Sequence, residues 1–208
     1  MNLFNSIIMR TVSYLPKSFA KPFAKPYVAG ETIEEALSNV KILNQKGFCA
    51  TLDILGEHVK SKTFAKNITQ QYCGLYQQIN DYKLDCTISV KPTHIGLNIS
   101  YAEALENLTL ISKKASELHN FLRIDMESSE YTEQTFGLLM DCKKITKNIG
   151  VAMQAYLLRS LNDIDKLANT EFNARICKGI YKENSSVSYK TKMDINNNFM
   201  LMAKKMAK

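Results

Sequence analysis

Short apolar segments and amphipathic helical segments alternate five times along this chain of 208 residues. Apolar residues recurring every three or four positions indicate helices, and short runs rich in Ile, Val and Leu indicate strands. The expected strands are apolar on both faces, which is typical of parallel strands covered by helices. The predicted strands are 48–55, 86–91, 121–127, 150–157 and 174–181, and the helices that follow them are 59–80, 101–118, 131–147, 162–169 and 187–206. The pattern predicts an α/β fold with a parallel sheet.

Two architectures fit this alternation, a doubly wound sheet and a (β/α)8 barrel of the TIM type. A dinucleotide-binding doubly wound sheet needs a glycine-rich turn after its first strand, and Leu55-Gly56-Glu57-His58 contains a single glycine. Charged residues end four of the five strands, as in barrels whose active sites lie at the carboxyl ends of the strands. We therefore expect a barrel over residues 29–208, truncated to about five βα units because eight are required.

A separate helical arm is expected at residues 1–28, before the barrel. Residues 1–27 contain no acidic residue, which also fits a transit peptide. An amphipathic helix followed by a segment broken by Pro16, Pro22 and Pro26 is the favoured interpretation. A helix then begins after Thr32, whose side chain can cap it, and ends at Gly47.

The net charge of +7 comes from the two ends of the chain. Residues 1–30 and 182–208 carry the excess of Lys and Arg, so no continuous basic stripe is expected and nucleic acid is excluded as a partner. The five cysteines form no Cys-x-x-Cys pair, which favours free thiols in a reducing cytoplasm. The three histidines lack the spacing of a zinc site.

Polar residues within or just after the apolar strands are the candidate functional groups. Lys91 fits a Schiff-base lysine, a flavin or phosphate contact, or a surface residue. Asp125 and Glu127 are two apart and so face one side of an extended strand, but no third ligand supports a metal site. Gln154 needs a hydrogen-bond partner inside its apolar strand, and Arg175 needs a carboxylate or an anionic ligand nearby.

Taken together, these runs resemble the flavin-dependent proline dehydrogenases over roughly residues 25–205. They occur in the order of that family: Tyr27–Thr32, Ala50–Glu57, Ser89–Lys91 with Gly96-Leu97, Arg123–Glu127, Gln154–Tyr156 with Arg159-Ser160, and Arg175–Tyr181. The resemblance implies a barrel that holds FAD at its C-terminal mouth and oxidises L-proline to 1-pyrroline-5-carboxylate, in proline catabolism to glutamate. It also implies a quinone acceptor at the membrane surface, a cytoplasmic or peripheral inner-membrane location, and a pyrroline-5-carboxylate dehydrogenase as a further partner.

The resemblance also implies roles for single residues near the flavin. Arg175 is similar to the arginine near flavin N5, and Gln154 to the amide that contacts the isoalloxazine. Lys178 and Gly179 lie in the loop that follows the flavin. Lys91 is similar to the active-site lysine beside flavin and substrate.

Three further residues resemble those that surround the substrate. Asp125 is similar to the carboxylate that pairs with a substrate-binding arginine, Glu57 to the acid of an ion-pair gate, and Tyr181 to an aromatic wall of the proline site. Ile180 replaces the small alanine usual in the family, which narrows the site.

The family's last three strand–helix units and its Tyr-x-x-Arg-Arg pattern are not found. We therefore expect Asp125 and Glu57 to lack the arginine partners that this pattern supplies in the family, and the chain to be inactive alone. Two alternatives stay open: an aldolase-type barrel lyase using Lys91 or Lys178, and a non-catalytic remnant or half of a split protein.

Overall fold

The computed structural model describes residues 29–207. The predicted arm at 1–28 lies outside these residues. The chain divides into two compact units, residues 1–50 and 51–208, and each is described by itself. Among the helices of the described residues, none combines the length and apolarity needed to cross a membrane.

The first unit contains helix α1, Ile33–Gln45. The Thr32 hydroxyl accepts a hydrogen bond from the amide of Glu35 at 3.3 Å, and the Glu35 carboxylate accepts one from the amide of Glu31 at 2.8 Å. Gly47 follows the helix with a φ of 83°, a left-handed conformation that glycine adopts without strain. The predicted start and stop of this helix are confirmed.

The second unit begins inside strand β1 and alternates strands with helices. Its strands are β1 Ala50–Leu52, β2 Cys86–Val90, β3 Leu122–Ile124, β4 Ile149–Gln154 and β5 Asn173–Cys177. Its helices are α2 Lys62–Asp81, α3 Tyr101–Glu117, α4 Thr132–Lys143, α5 Ser160–Leu167 and α6 Lys192–Met206, with 3₁₀ turns at Ser129–Tyr131 and Ala168–Thr170. The predicted alternation is confirmed, with shorter strands.

The five strands lie side by side in chain order, β1-β2-β3-β4-β5. The pairings from β2 to β5 are all parallel, and their register places Val90 beside Ile124, Ile124 beside Val151, and Gln154 beside Cys177. Parallel neighbours in chain order, each joined to the next through a helix, form the α/β architecture expected of a barrel wall. All the carboxyl ends of these strands therefore point the same way.

Hydroxyl caps and a dense core fix the helices. Ser61, Ser100 and Thr191 each accept a hydrogen bond from an amide in the first turn of the helix that follows. The largest fully buried side chains come from β2 to β4, helices α2 to α4 and the loop after β2: Tyr72, Tyr76, Ile79, Ile88, Ile95, Leu108, Ile111, Leu122, Ile124, Leu138, Leu139 and Ile149.

Strand β5 differs from the expectation that every strand is buried on both faces. All six residues of β4 are buried, but no residue of β5 is fully buried. Within the described residues β5 has β4 as its single neighbour, so its other edge has no strand to cover it.

Candidate functional site

Polar side chains collect where the parallel strands end. Asp53 follows β1 directly, Lys91 follows β2 and Asp125 follows β3, while Gln154 is the last residue of β4 and Arg175 is the middle residue of β5. Because parallel strands present their carboxyl ends at one edge, these side chains converge there. All but Asp53 line a cavity of about 340 Å³ that also reaches Lys178, Gly179, Ile180 and Tyr181.

Lys91 lies between two carboxylates. Its Nζ is 2.5 Å from Asp53 Oδ2 and 3.8 Å from Asp125 Oδ2. Burial alone would lower the pKa of Lys91, but the hydrogen bond and charge of Asp53, with the charges of Asp125 and Glu57, outweigh it and raise that pKa. Lys91 is therefore a cation at neutral pH and not a free amine nucleophile.

Asp125 joins Lys91 to Arg175. Its Oδ1 accepts a hydrogen bond from Arg175 Nη2 at 2.6 Å. Burial raises the pKa of Asp125, and the charges of Arg175 and Lys91 oppose that shift without cancelling it. The arginine that Asp125 meets within this chain is Arg175, because Arg175 on β5 comes close enough to pair with it. Asp125 is likewise the carboxylate that Arg175 required.

The side-chain amide of Gln154 is buried at the cavity, and within residues 29–207 its nitrogen is hydrogen-bonded while its oxygen is not. Its Nε2 donates to the carbonyl oxygen of Met126 at 2.9 Å, which fixes the orientation of the amide because a carbonyl can only accept. Its Oε1 is buried and has no hydrogen-bond partner among the described residues. A buried acceptor of this kind requires a donor from a bound group or water.

The loop after β5 closes one side of the cavity. Gly179 has a φ of 104°, and a Cβ built there would lie 2.1 Å from the Tyr156 ring, so this position accepts only glycine without rearrangement. Lys178 and Ile180 are exposed, the latter to 88%.

Tyr181 donates a hydrogen bond to Glu57 Oε1 at 2.7 Å, which gives the Glu57 carboxylate a partner within this chain. This contact ties the loop after β5 to the segment after β1. Burial raises the pKa of Tyr181, and the hydrogen bond to Glu57 raises it further, so the hydroxyl stays protonated and donates.

Asp125 and Glu127 do not share a site. Strand β3 ends at Ile124, so the two-residue periodicity of a strand no longer applies to them. Glu127 is buried and accepts from the amide and hydroxyl of Thr93 at 3.0 and 3.1 Å. Across residues 29–207, no group of three or more His, Cys, Asp or Glu side chains is placed to hold a metal ion.

Two members of the site were missed at the level of sequence, Asp53 and Tyr72. Asp53 follows its strand just as Lys91 and Asp125 follow theirs, so this position was a usable signal. Tyr72 occupies an apolar stripe of α2, and nothing in its spacing distinguishes it from a core residue. Its hydroxyl donates to Asp53 Oδ1 at 2.9 Å.

Residues 36–196 match the family model described as proline dehydrogenase. The chain belongs to the proline dehydrogenase family, as its motifs indicated, and membership implies a flavin as the class of cofactor. It is 37% identical over 191 residues to proline dehydrogenase 1 of Bacillus subtilis subsp. natto, covering 89% of this chain and 63% of that protein. It is 30% identical over 182 residues to proline dehydrogenase of Deinococcus radiodurans, covering 85% and 58% respectively. The chain thus spans less than two thirds of the length of these relatives.

The fold is shared with a much larger protein of known structure. The crystal structure of proline utilization A (PutA) from Bdellovibrio bacteriovorus, inactivated by N-propargylglycine, superposes with a TM-score of 0.83 at 22% identity. The match covers 91% of this chain and 24% of that chain. The parallel sheet and helices described above therefore follow the architecture of that protein over nearly the whole chain.

Proposed function

We propose that this chain forms the flavin-binding wall of an L-proline dehydrogenase that uses FAD and yields 1-pyrroline-5-carboxylate. The single observation that carries the cofactor proposal is the unpaired, buried Oε1 of Gln154 at a cavity lined by Lys91, Asp125 and Arg175. When bound, the flavin supplies the acceptor for the hydride that leaves the proline ring. The substrate proposal rests on the family and on the names of the curated relatives.

The residues present fit a flavin. The ring system of a flavin carries an imide N–H, which is the donor that Gln154 Oε1 lacks. Arg175 holds a positive charge at the cavity, and its side chain is 47% exposed, so it keeps donors beyond the one given to Asp125. A fixed cation favours a ring that gains negative charge on reduction. Lys178, exposed at the same cavity, adds a second positive charge.

Lys91 is already held by Asp53, and Arg175 is held by Asp125 with its remaining donors assigned to the proposed flavin. A receptor for the substrate carboxylate would need a bidentate arginine that is free to bind it. The sequence contains no Arg-Arg pair. We therefore propose that these 208 residues bind FAD but do not oxidise proline unaided.

The surroundings of Lys91 argue against this residue as the Schiff-base lysine of the lyase alternative. A Schiff-base lysine acts as a neutral amine and needs a lowered pKa. The raised pKa of Lys91, caused by Asp53 and its neighbours against the effect of burial, has the opposite sign.

The partners and the cellular location of this protein are proposed from its similarity to related proteins. Another solved neighbour, matched with a TM-score of 0.69, is described as bifunctional proline utilization A (PutA). This supports a pyrroline-5-carboxylate dehydrogenase as the protein that consumes the product. A quinone acceptor at the cytoplasmic face of the inner membrane completes the proposal, as the sequence resemblance implied.

The flavin proposal is tested by titrating the purified chain with FAD and following the quenching of flavin fluorescence. Loss of the Arg175 guanidinium in Arg175→Met is expected to weaken FAD binding by about tenfold, since a hydrogen bond to a charged group contributes about 1.5 kcal/mol or more. Arg123→Met is the matched control. Arg123 lies on β3, stacks over Phe121 at 4.7 Å and donates to carbonyls of β4 and β5, away from the cavity.

Folded wild-type chain that takes up no FAD would refute the flavin proposal, and equal losses in both variants would refute the placement at Arg175. Proline oxidation is tested separately, by anaerobic addition of L-proline to the FAD-loaded chain. Bleaching of the flavin is expected only after supplying the part of the Bacillus subtilis relative that lies outside the matched region. Bleaching by the 208 residues alone would contradict this expectation and place a carboxylate receptor within this sequence.

A further inference from the structure

Tyr72 of helix α2 is hydrogen-bonded to Asp53, the carboxylate that pairs with Lys91. Tyr72 is fully buried, and its hydroxyl lies 2.9 Å from Asp53 Oδ1 and 3.3 Å from the carbonyl oxygen of Ile54. The other carboxylate oxygen of Asp53 meets Lys91 Nζ at 2.5 Å. One carboxylate thus accepts from the core on one oxygen and from the cavity on the other.

This arrangement determines the plane of the Asp53 carboxylate. A carboxylate bonded through one oxygen can rotate, because the torsion next to it has a broad energy profile. A second donor on the other oxygen removes that freedom. Tyr72 can serve as this donor since its ring is fixed, packed edge-on against His94 with ring centroids 6.3 Å apart. Burial and the charge of Asp53 raise the pKa of Tyr72 well above its ordinary value, so the hydroxyl keeps its proton.

The groups around Lys91 come from several elements. Asp53 follows β1, Asp125 follows β3 with Arg175 of β5 behind it, and Glu57 acts through its charge from the segment after β1. Tyr72 is outside the cavity lining, yet among residues 29–207 it is the core residue whose side chain bonds directly to a carboxylate that holds Lys91.

We propose that Tyr72 is a positioning residue that acts through Asp53 to hold the Lys91 ammonium at the cavity. The inference rests on the proposed function only for the identity of the flavin and substrate that Lys91 would meet. The position and protonation of Lys91 are properties of this chain without any ligand. They can therefore be tested without flavin and without turnover.

Tyr72→Phe removes the hydroxyl, and Tyr76→Phe is a matched control on the same helix. Tyr76 is equally buried, and Tyr76→Phe also removes one hydrogen bond, to the carbonyl oxygen of Phe121. Phe121 precedes β3 and so lies at the amino ends of the strands, away from Lys91. Lys91 is labelled at fixed pH with trace acetic anhydride, which acylates only the neutral amine, and the labelled peptide is quantified by mass spectrometry. Tyr72→Phe removes the hydrogen bond from Tyr72 to Asp53 and is expected to speed labelling of Lys91 by about 3- to 10-fold, which corresponds to the net free energy of one hydrogen bond. Tyr76→Phe is expected to leave the labelling rate unchanged.

The route through Asp53 is tested by repeating the comparison in an Asp53→Asn background. There Tyr72→Phe is expected to add nothing, because the carboxylate that transmits its effect is gone. Labelling of Tyr72→Phe at the wild-type rate, an equal increase in Tyr76→Phe, or an undiminished effect in the Asp53→Asn background would each overturn the proposal. If Tyr72→Phe does not fold, 4-fluorophenylalanine at this position fills the volume of the hydroxyl without donating, and the same increase is expected. FAD binding plays no part in these measurements, so their failure is distinct from failure of the proposed flavin site.

Discussion

Two aspartates in this chain, one buried and one partly exposed, are each bound by an arginine, and they should respond differently to loss of their charge. The side chain of Asp163 is 3% exposed and that of Asp125 is 15% exposed. Asn has nearly the same shape as Asp, so Asp163→Asn and Asp125→Asn remove one charge each with little change in packing. We expect the first substitution to be costly and the second nearly neutral for stability.

Asp163 is bound in bidentate fashion. Arg159 Nε donates to its Oδ2 at 2.7 Å and Arg159 Nη2 to its Oδ1 at 2.8 Å. In Asp163→Asn the new amide must turn an N–H₂ group toward one of these donors, which breaks that bond and sets donor against donor. The expected cost is about 2–3 kcal/mol, the upper range for a hydrogen bond to a charged group.

Asp125 is held less favourably. Its Oδ1 receives one bond from a half-exposed arginine, and an Asn oxygen can accept that bond equally well. Lys91 lies 3.8 Å away and keeps Asp53 as its main partner. Burial raises the pKa of Asp125 in spite of both cations, which means that the folded protein disfavours its charge overall. The expected cost of Asp125→Asn is therefore below about 1 kcal/mol.

Thermal unfolding followed by circular dichroism separates the two cases. For a chain of this size about 1 kcal/mol corresponds to roughly 2–4 °C in melting temperature. Asp163→Asn should lower the melting temperature by about 5–10 °C and Asp125→Asn by about 3 °C or less. A loss in Asp125→Asn as large as that in Asp163→Asn would show that the ionised Asp125 stabilises the fold, and would refute the reasoning from its burial.

Two further predictions concern a glycine and the pH dependence of stability. Gly179→Ala places a Cβ 2.1 Å from the Tyr156 ring at a φ of 104°, so it should lower the free energy of unfolding by about 2 kcal/mol or more. Gly74→Ala lies inside helix α2 with nothing within 4 Å of the added carbon, so it should raise that free energy by about 0.5–1 kcal/mol. Urea denaturation of both variants measures the difference. Because burial raises the folded-state pKa of Asp125 above its ordinary 3.8, the folded chain binds a proton that the unfolded chain releases, so the contribution of this group to stability should fall as pH rises from 3.8 through the folded pKa. Urea titrations across that range should show the decrease in wild type and a smaller one in Asp125→Asn, and an identical slope in both would contradict the assignment.

Local sequence signals predicted the order of elements and both ends of helix α1, whereas helix α6 was expected from residue 187 and begins at Lys192. The hydroxyl cap at Thr32 and the glycine stop at Gly47 act within one or two turns of chain, so residue type alone is enough to place them. The ends of the strands were predicted too late, because the residues that follow them continue the apolar and charged pattern beyond the regular strand. Strand β3 was expected over 121–127 and extends over Leu122–Ile124.

The sequence predicted most residues of the candidate site but not the hydrogen bonds and ion pairs between them. Lys91, Asp125, Gln154 and Arg175 were identified because charged and amide side chains are conspicuous at the ends of apolar strands. Their partners lie up to 50 residues away, as in the Arg175–Asp125 pair, and no local pattern encodes such a distance. The bonds from Arg175 to Asp125 and from Tyr181 to Glu57 were for that reason not predicted.

The sequence by itself determined the α/β alternation, the caps, the family, and which residue types meet at the carboxyl edge of the sheet. Only the tertiary structure decided which charge meets which, because pairing depends on strand order and register. The tertiary structure also places the hydroxyl of Tyr72, whose spacing in the sequence indicates a core residue, against the Asp53 carboxylate that holds Lys91. Whether a buried tyrosine only fills space or also orients a functional group depends on where its hydroxyl ends, and that position is fixed by the packing of the helix on the sheet.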